Sequence, residues 1–398
     1  MSSTTRGGKI FPSLPHDYIR RRRAVRRITN TCLIAFFSLA TAYFITRQSG
    51  GTGFPPPRLA LQPDSSSVPA LEPRAPAALI KAVSTSKDAS GYKLAAGPYT
   101  VTEAADLVLH DSKRNKDLHV RIFYPDGAGK YPVIVFSHGA GGSQDCCDAL
   151  TRHWATYGYV TIQPTHDDSA VQRRNSGEEN IRLMQAVQDA LKKPALWESR
   201  PLDIIFVLDA LPSLANRVPG LVGKMDSSRI GVGGHSMGSY TSEAIAGALV
   251  NLPGHLGSNF ADLRVRAVLC LSPQGPGQFG LSDHSFDQIS LPYIGMTGSL
   301  DSLGPFASPA WHKIPFERSK PGDKYQVFIE GANHMFFISA RTPRPNHAAQ
   351  AEAILGYTNS ASLAFWDAYL KDDAAAKAYL QSNALQNSSH GAIKLSRR

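Results

Sequence analysis

The stretch RIGVGGHSMGSY, residues 229–240, decides the fold. Its first residues predict a short strand over 229–233, and the residues from Met237 onward predict a helix over 237–249. Between them the pattern Gly-x-Ser-x-Gly places Ser236 in a sharp strand-to-helix turn. Because such a turn brings neighbouring backbone very close, glycine is needed at Gly234 and Gly238. The stretch therefore predicts a serine held in a strained turn, and a Gly-rich connection carrying an ordinary serine is the alternative.

The residues around this stretch alternate between strand and helix patterns. Strands are predicted over 105–110, 118–124, 131–137, 159–164, 229–233, 265–271, 293–297 and 325–329. Helices are predicted over 144–157, 178–191, 201–211, 237–249 and 348–370. The first two strands form a hairpin, and the third is a continuous apolar run typical of a strand buried on both faces. The pattern predicts an α/β domain over 98–372, with a mostly parallel central sheet covered by helices on both faces.

A serine hydroxyl becomes a nucleophile when a base takes its proton and an acid orients that base. His334 follows the strand over 325–329 and is the candidate base, with His312 as the alternative. Asp301 follows the strand over 293–297 and lies between Ser236 and His334 in the chain, in the order Ser, acid, His that is expected of a fold with this turn. The competing acids are Asp283, Asp287 and Glu330.

The loop FSHGAGG, residues 136–142, follows the strand over 131–137. Charge that develops on a carbonyl oxygen is stabilised by preoriented backbone N–H groups. The amides of Ala140 and Met237 are the expected donors of this oxyanion site, and a flexible glycine loop is the alternative reading of the glycines.

Three further side chains are predicted to contact substrate. His138 lies in the glycine loop and is expected mainly to shape it. His166 is expected on the rim of the site together with Asp167 and Asp168, where a metal site is the less favoured alternative. Phe336 either lines an acyl pocket or belongs to the core. We expect no metal and no organic cofactor.

These motifs resemble those of the α/β-hydrolases. The stretches VFSHG (135–139), HWATYGYV (153–160), QPTH (163–166) and GHSMG (234–238) are most similar to the platelet-activating-factor acetylhydrolase, chlorophyllase and dienelactone hydrolase-like group. The resemblance covers residues 98–370 and implies an α/β-hydrolase fold with Ser236, Asp301 and His334 as the triad. Ala140 and Met237 stand where bulkier residues are common in the acetylhydrolases. Polyester and cutinase-type hydrolases are also similar.

The resemblance and the motifs together predict a serine esterase that cleaves lipid or small acyl esters through an acyl-enzyme. One alternative is a polyester or carbohydrate esterase of the same fold. Another is a catalytically inactive α/β-hydrolase domain that serves as an interaction module. The oligomeric state is left open.

The net charge of +10 is concentrated at the N-terminus, because residues 1–47 hold nine Lys or Arg and one acidic residue. The remaining chain is nearly neutral, so a nucleic-acid partner is not expected.

The uncharged stretch 28–46 predicts a transmembrane signal anchor behind a cytoplasmic segment 1–27, with a cleaved signal peptide as the alternative. Residues 47–97, rich in Pro and Ser, predict a linker, and 373–398 a polar tail. The catalytic domain is therefore expected outside the cytoplasm.

Overall fold

The computed structural model describes residues 91–304, 307–340 and 345–398. The predicted N-terminal segment, the anchor and most of the linker lie outside the described residues. Within them, no helix is both long and apolar enough to cross a bilayer.

The described strands and helices alternate along the chain. The strands are β1 (Val101–Asp111), β2 (Lys116–Pro125), β3 (Tyr131–Ser137), β4 (Val160–Thr165), β5 (Met225–His235), β6 (Val250–Leu252), β7 (His255–Ser258), β8 (Val265–Leu271), β9 (Tyr293–Leu300), β10 (Lys324–Asn333) and β11 (Ile393–Arg397). The helices are α1 (Asp148–Thr156), α2 (Ala170–Asn175), α3 (Leu183–Lys192), α4 (Pro194–Arg217), α5 (Met237–Ile245), α6 (Ile314–Arg318), α7 (Ala348–Leu370), α8 (Ala374–Gln381) and α9 (Ala384–Ser388).

Nine of these strands form one sheet in the order β1-β2-β4-β3-β5-β8-β9-β10-β11. The six central strands from β4 to β10 are mutually parallel, while β1, β2 and β11 add antiparallel edges. The predicted mostly parallel α/β sheet is confirmed. Its parallel strands all end at one edge, where ligands of open α/β sheets bind.

Two apolar clusters cover the two faces of this sheet. In β3, Val133 and Val135 pack on the side of α4 and α5, whereas Ile134 and Phe136 pack on the side of α1 and α7. Successive side chains of a strand point to opposite faces, so a strand covered on both faces needs apolar residues at every position. This explains why residues 131–137 read as one uninterrupted apolar run.

Several predicted boundaries differ from the structure. The helix predicted over 237–249 ends at Ile245, because Gly247 adopts a φ of 106° that stops the helix. The helix predicted over 201–211 is part of the longer α4, even though two prolines lie inside it.

The chain termini of the domain also differ from expectation. Residues 373–398, predicted as a polar tail, instead form α8, α9 and β11, and β11 pairs with β10. On β11 the side chains of Ile393 and Leu395 are buried, while the residue between them is exposed. This alternation is too short to stand out in a segment of polar composition. The last residues assigned to the linker also touch the domain, since Tyr92 and Lys93 bind Asp367 of α7 at 2.9 and 2.6 Å.

Candidate active site

Ser236 lies between β5 and α5 with a φ of 57° and a ψ of −119°. A serine at positive φ is strained, and such strain clusters at functional sites. The Ser236 N–H donates to the carbonyl of Leu271 at 2.8 Å, which fastens the turn to the end of β8. A Cβ on Gly238 would overlap the carbonyl of Ser137, and one on Gly234 would overlap Gly238 itself. The predicted steric need for both glycines is therefore confirmed.

Asp301 and His334 meet at the same edge of the sheet. Asp301 follows β9 and His334 follows β10, so the parallel pairing of these strands brings the two residues together. The Nδ1–H of His334 donates to Oδ1 of Asp301 at 2.9 Å, and Thr297 donates to Oδ2 at 2.8 Å. This bond leaves the neutral histidine with its lone pair on Nε2, as a general base requires.

His334 is tied to the turn that carries Ser236. The ring of His235 packs against the ring of His334 at a centroid distance of 4.7 Å, and its Nε2–H donates to the His334 carbonyl at 2.7 Å. Burial, assisted by the neighbouring His334, lowers the pKa of His235 to about 3. His235 therefore stays neutral and serves as a spacer between the turn and the loop that carries His334.

The Asp301 carboxyl is fully buried. Burial by itself would raise its pKa, but His312 and the hydrogen bonds from His334 and Thr297 outweigh burial and hold that pKa below its usual value. The carboxylate is thus ionised and able to stabilise a histidine cation.

His312, the alternative base, shares the same carboxylate. Its Nδ1–H donates to the carbonyl of Pro273 at 2.5 Å, and its Nε2 lies 3.5 Å from Oδ1 of Asp301. The side chain is fully buried, and burial lowers its pKa. Ligand atoms of Asp301, His312 and His334 lie within 4.8 Å of one another. Among the residues that the structure describes, these three have the spacing of a metal site.

The competing acids lie elsewhere. Asp283 is exposed, Asp287 pairs with the exposed His284 at 3.1 Å, and Glu330 accepts from Ser299 at 2.8 Å. These distances leave Asp301 as the acid that contacts a candidate histidine base.

The two expected oxyanion amides belong to the start of α5 and to the loop that contacts the Ser236 turn. Met237 is the first residue of α5, so its N–H has no acceptor within the helix and carries the positive end of the helix dipole. The loop containing Ala140 touches the turn directly, because a Cβ on Gly139 would lie 3.4 Å from Cβ of Ser236.

The three residues predicted to bind substrate are all buried. The ring nitrogens of His138 contact the Gly139 carbonyl and the His166 amide at 2.7 and 3.0 Å, and those of His166 contact Ser137 and Asp203 at 2.9 and 2.8 Å. All four ring nitrogens are therefore used within the protein. Asp168, expected on the rim with His166, is buried as well.

Phe336 is 4% exposed and packs in the apolar cluster of α1 and α7, as expected of the core alternative. Prediction from sequence missed the partners of the buried histidines, which are Ser137, Arg200 and Asp203. Ser137, a polar residue that ends an apolar strand, was the one local signal. Arg200 and Asp203 lie on α4, far away in sequence.

Two comparisons with known proteins bear on this site. The family model for chlorophyllase matches residues 93–274, which include the loop of Ala140 and Ser236 and end before Asp301. A curated relative, "Cutinase est1" of Thermobifida alba, is 26% identical over 216 residues, covering 54% of this chain and 57% of that protein. The chain thus matches little more than half the length of this relative. By the two matches and the fold, the chain is similar to the α/β-hydrolase-like serine esterases.

Proposed function

We propose that this chain hydrolyses carboxylic esters, with Ser236 as nucleophile, His334 as general base and Asp301 as the acid that orients it. The observation that carries the proposal is the 2.9 Å bond between His334 and Asp301 beside the strained Ser236. The matches to chlorophyllase and cutinase support the coarser statement that the chain is an ester hydrolase.

In the proposed reaction, Oγ of Ser236 attacks the ester carbonyl while Nε2 of His334 takes its proton. The amides of Ala140 and Met237 donate to the oxygen that becomes negatively charged. His334 then passes the proton to the leaving alcohol, and an acyl-Ser236 remains. Water, deprotonated by His334, attacks this acyl group and releases the acid.

The proposed substrates are uncharged lipid or small acyl esters, in keeping with the near neutrality of the chain after residue 47. A polyester is the second candidate, and the name of the curated relative, a cutinase, favours it. Hydrolysis of nitrophenyl esters of increasing acyl length, compared with release of acid from an aliphatic polyester film, separates the two. A rate that falls steeply with acyl length and no attack on the film would count against the polyester.

Labelling with a fluorophosphonate tests the proposed nucleophile. We expect the wild type to take one label and Ser236→Ala to take none, while Ser137→Ala, which removes a buried serine, keeps the label. A wild type that takes no label and hydrolyses no ester would overturn the esterase proposal in favour of an inactive interaction module.

We also propose that the catalytic domain acts outside the cytoplasm, which rests on the sequence of residues 1–47. Alkaline carbonate extraction of the full chain, with sequencing of its N-terminus, distinguishes an anchored from a processed form. Recovery of all of the enzyme from the cytosol would contradict both.

A further inference from the structure

Arg200 and Asp168 form a buried ion pair directly behind the loop of Ala140. Arg200 is 1% exposed and Asp168 is fully buried. Nε and Nη2 of Arg200 donate to the two carboxylate oxygens of Asp168 at 2.9 and 2.8 Å. Burial by itself would raise the pKa of Asp168, but Arg200 outweighs it and holds that pKa below its usual value. Such a desolvated pair is costly unless its remaining polar atoms are all used.

The remaining N–H groups of Arg200 donate hydrogen bonds to the loop of residues 136–142. Nη1 donates to the His138 carbonyl at 2.7 Å and to Oγ of Ser137 at 3.2 Å, and Nη2 also reaches the Gly139 carbonyl at 3.3 Å. Asp168 in turn accepts the Gly141 N–H at 2.8 Å. One ion pair thus holds both carbonyls before Ala140 and the amide after it.

These contacts fix the peptide that carries the Ala140 N–H. In a trans peptide the C=O and the following N–H point in opposite directions, and the described residues contain no cis bond. The Gly139 carbonyl is held by His138 Nδ1, the Gly142 amide and Arg200, so the Ala140 N–H must point away from Arg200. The amides of Gly141 and Gly142 are both already used within this network.

We propose that the Arg200–Asp168 ion pair is the positioning element that aims the Ala140 amide into the oxyanion site beside Ser236. The proposal rests on the esterase function proposed above. Neither side chain contacts substrate. Both act through the backbone, and the loop that they hold is the one that touches the Ser236 turn.

An arginine is needed here because its planar guanidinium serves Asp168 and two carbonyls at once, whereas a lysine carries a single nitrogen. We therefore expect Arg200→Lys to retain the fold and to lower kcat about 10- to 100-fold, since a misaligned donor forfeits part of the roughly 10²- to 10³-fold contribution of an oxyanion amide. The KM should change less than about threefold, because the amide is aimed at the transition state rather than at the bound ester.

The experiment compares the full-length wild type, Arg200→Lys and Asp168→Asn on one nitrophenyl ester. It also measures the inhibition constant of a trifluoromethyl ketone, which forms a tetrahedral oxyanion on the nucleophile. The matched control is Arg121→Lys, which alters another buried arginine that pairs with Glu103, Asp145 and Asp148. We expect inhibitor affinity to fall in step with kcat in the first two variants and to stay unchanged in the control.

An active wild type whose Arg200→Lys and Asp168→Asn variants keep kcat and inhibitor affinity would overturn the positioning proposal alone. An equal loss in Arg121→Lys would also overturn it, by showing a general loss of structure. Failure of the esterase function is recognised separately, by a wild type that neither hydrolyses esters nor labels at Ser236. If one variant does not fold at the assay temperature, the other decides the outcome.

Discussion

Two serine–histidine–aspartate arrangements lie side by side in this domain. The first, which is the proposed active-site set and is called the active-site set below, consists of Ser236, His334 and Asp301. The buried set consists of Ser137, His166 and Asp203. Both have histidine Nδ1 on the aspartate, at 2.9 Å in the active-site set and 2.8 Å in the buried set. The histidine–aspartate contact of a triad is therefore present twice, although the proposed function assigns chemistry to one set.

The two sets differ in access and in charge. Ser236 is partly exposed on a strained turn, whereas all three members of the buried set are inaccessible. Burial and the neighbouring Arg200 hold the pKa of His166 well below its ordinary value, so this ring resists taking a proton. Burial raises the pKa of Asp203, while the pKa of Asp301 lies below its usual value. The two sets therefore share a histidine–aspartate contact but differ in the access to their serine and in the electrostatic surroundings of their acid.

The largest expected effect separates the two histidines. His334→Ala should lower kcat about 10⁶-fold, because loss of the general base disables the whole triad. His166→Ala should leave kcat of the folded protein within about tenfold while lowering its stability, since it leaves buried partners unpaired. Steady-state kinetics and urea unfolding of both variants measure the two effects. His312→Ala is the second control. If it lowered kcat as much as His334→Ala does, the assignment of His334 as the base would be wrong.

The two aspartates should separate in the same way. Asp301→Asn is expected to lower kcat about 10⁴-fold, because an amide no longer holds the histidine in the required tautomer. Asp203→Asn should mainly lower the free energy of unfolding, by about 3 kcal/mol, because Lys116 and Arg114 lose the fully buried one of their two carboxylate partners. The measurements are kcat and urea unfolding on matched samples. Equal losses of kcat in both variants would mean that the buried set takes part in the reaction.

The sequence could place the proposed active-site residues at one edge of the sheet because each of them follows a strand. Residues that end parallel strands meet at one edge of a sheet, so Ser236, Asp301 and His334 needed only the strand pattern and the chain order of the motif. Boundaries within the domain shifted by a few residues where a single glycine, such as Gly247, set the end of a helix.

The buried set could not be predicted in this way. His166 follows a strand too, and the same rule placed it on the rim. Its burial depends on Arg200 and Asp203, which one turn of α4 brings against the loop across a long separation in sequence. The spacing along one chain does not reveal which helix covers which strand end. The role of residues 393–397 as a strand was missed for a similar reason, because its partner β10 is distant in sequence.

The close contact between the Ser236 turn and the buried set should make stability sensitive to one added methyl group. Gly238 belongs to the Ser236 turn, and a Cβ on it would overlap the carbonyl of Ser137 in the buried set. Gly238→Ala should therefore lower the free energy of unfolding by about 3 kcal/mol or more. The control is Gly356→Ala within α7, where the nearest neighbour lies 3.9 Å away. This control should raise stability by about 0.5–1 kcal/mol, and equal destabilisation of both would show that the close approach is not the cause.

The last expected effect is a pH dependence of stability that the buried histidines cause. The pKa of His138 is lowered to about 4 by burial and by Arg200, and that of His166 is also lowered. Below pH 6.5 these histidines bind protons in the unfolded chain but stay neutral in the folded protein. The free energy of unfolding should therefore fall as the pH drops from 6.5 towards 4. Each histidine contributes up to about 1.4 kcal/mol per pH unit in that window.

Urea unfolding at pH 6.5, 5.5 and 4.5 measures this slope. His166→Gln should reduce it by the share of one histidine, whereas His284→Gln, which alters an exposed residue paired with Asp287, should leave it unchanged. The depressed pKa of Asp301 acts in a lower window, because its contribution is complete above the unfolded value of 3.8 and is lost only as the pH falls below it. The buried histidines should therefore lower the free energy of unfolding first on acidification, while Asp168 and Asp301 remain ionised. A slope that is the same in wild type and His166→Gln would contradict the assignment of His166 as a neutral, buried link in this network.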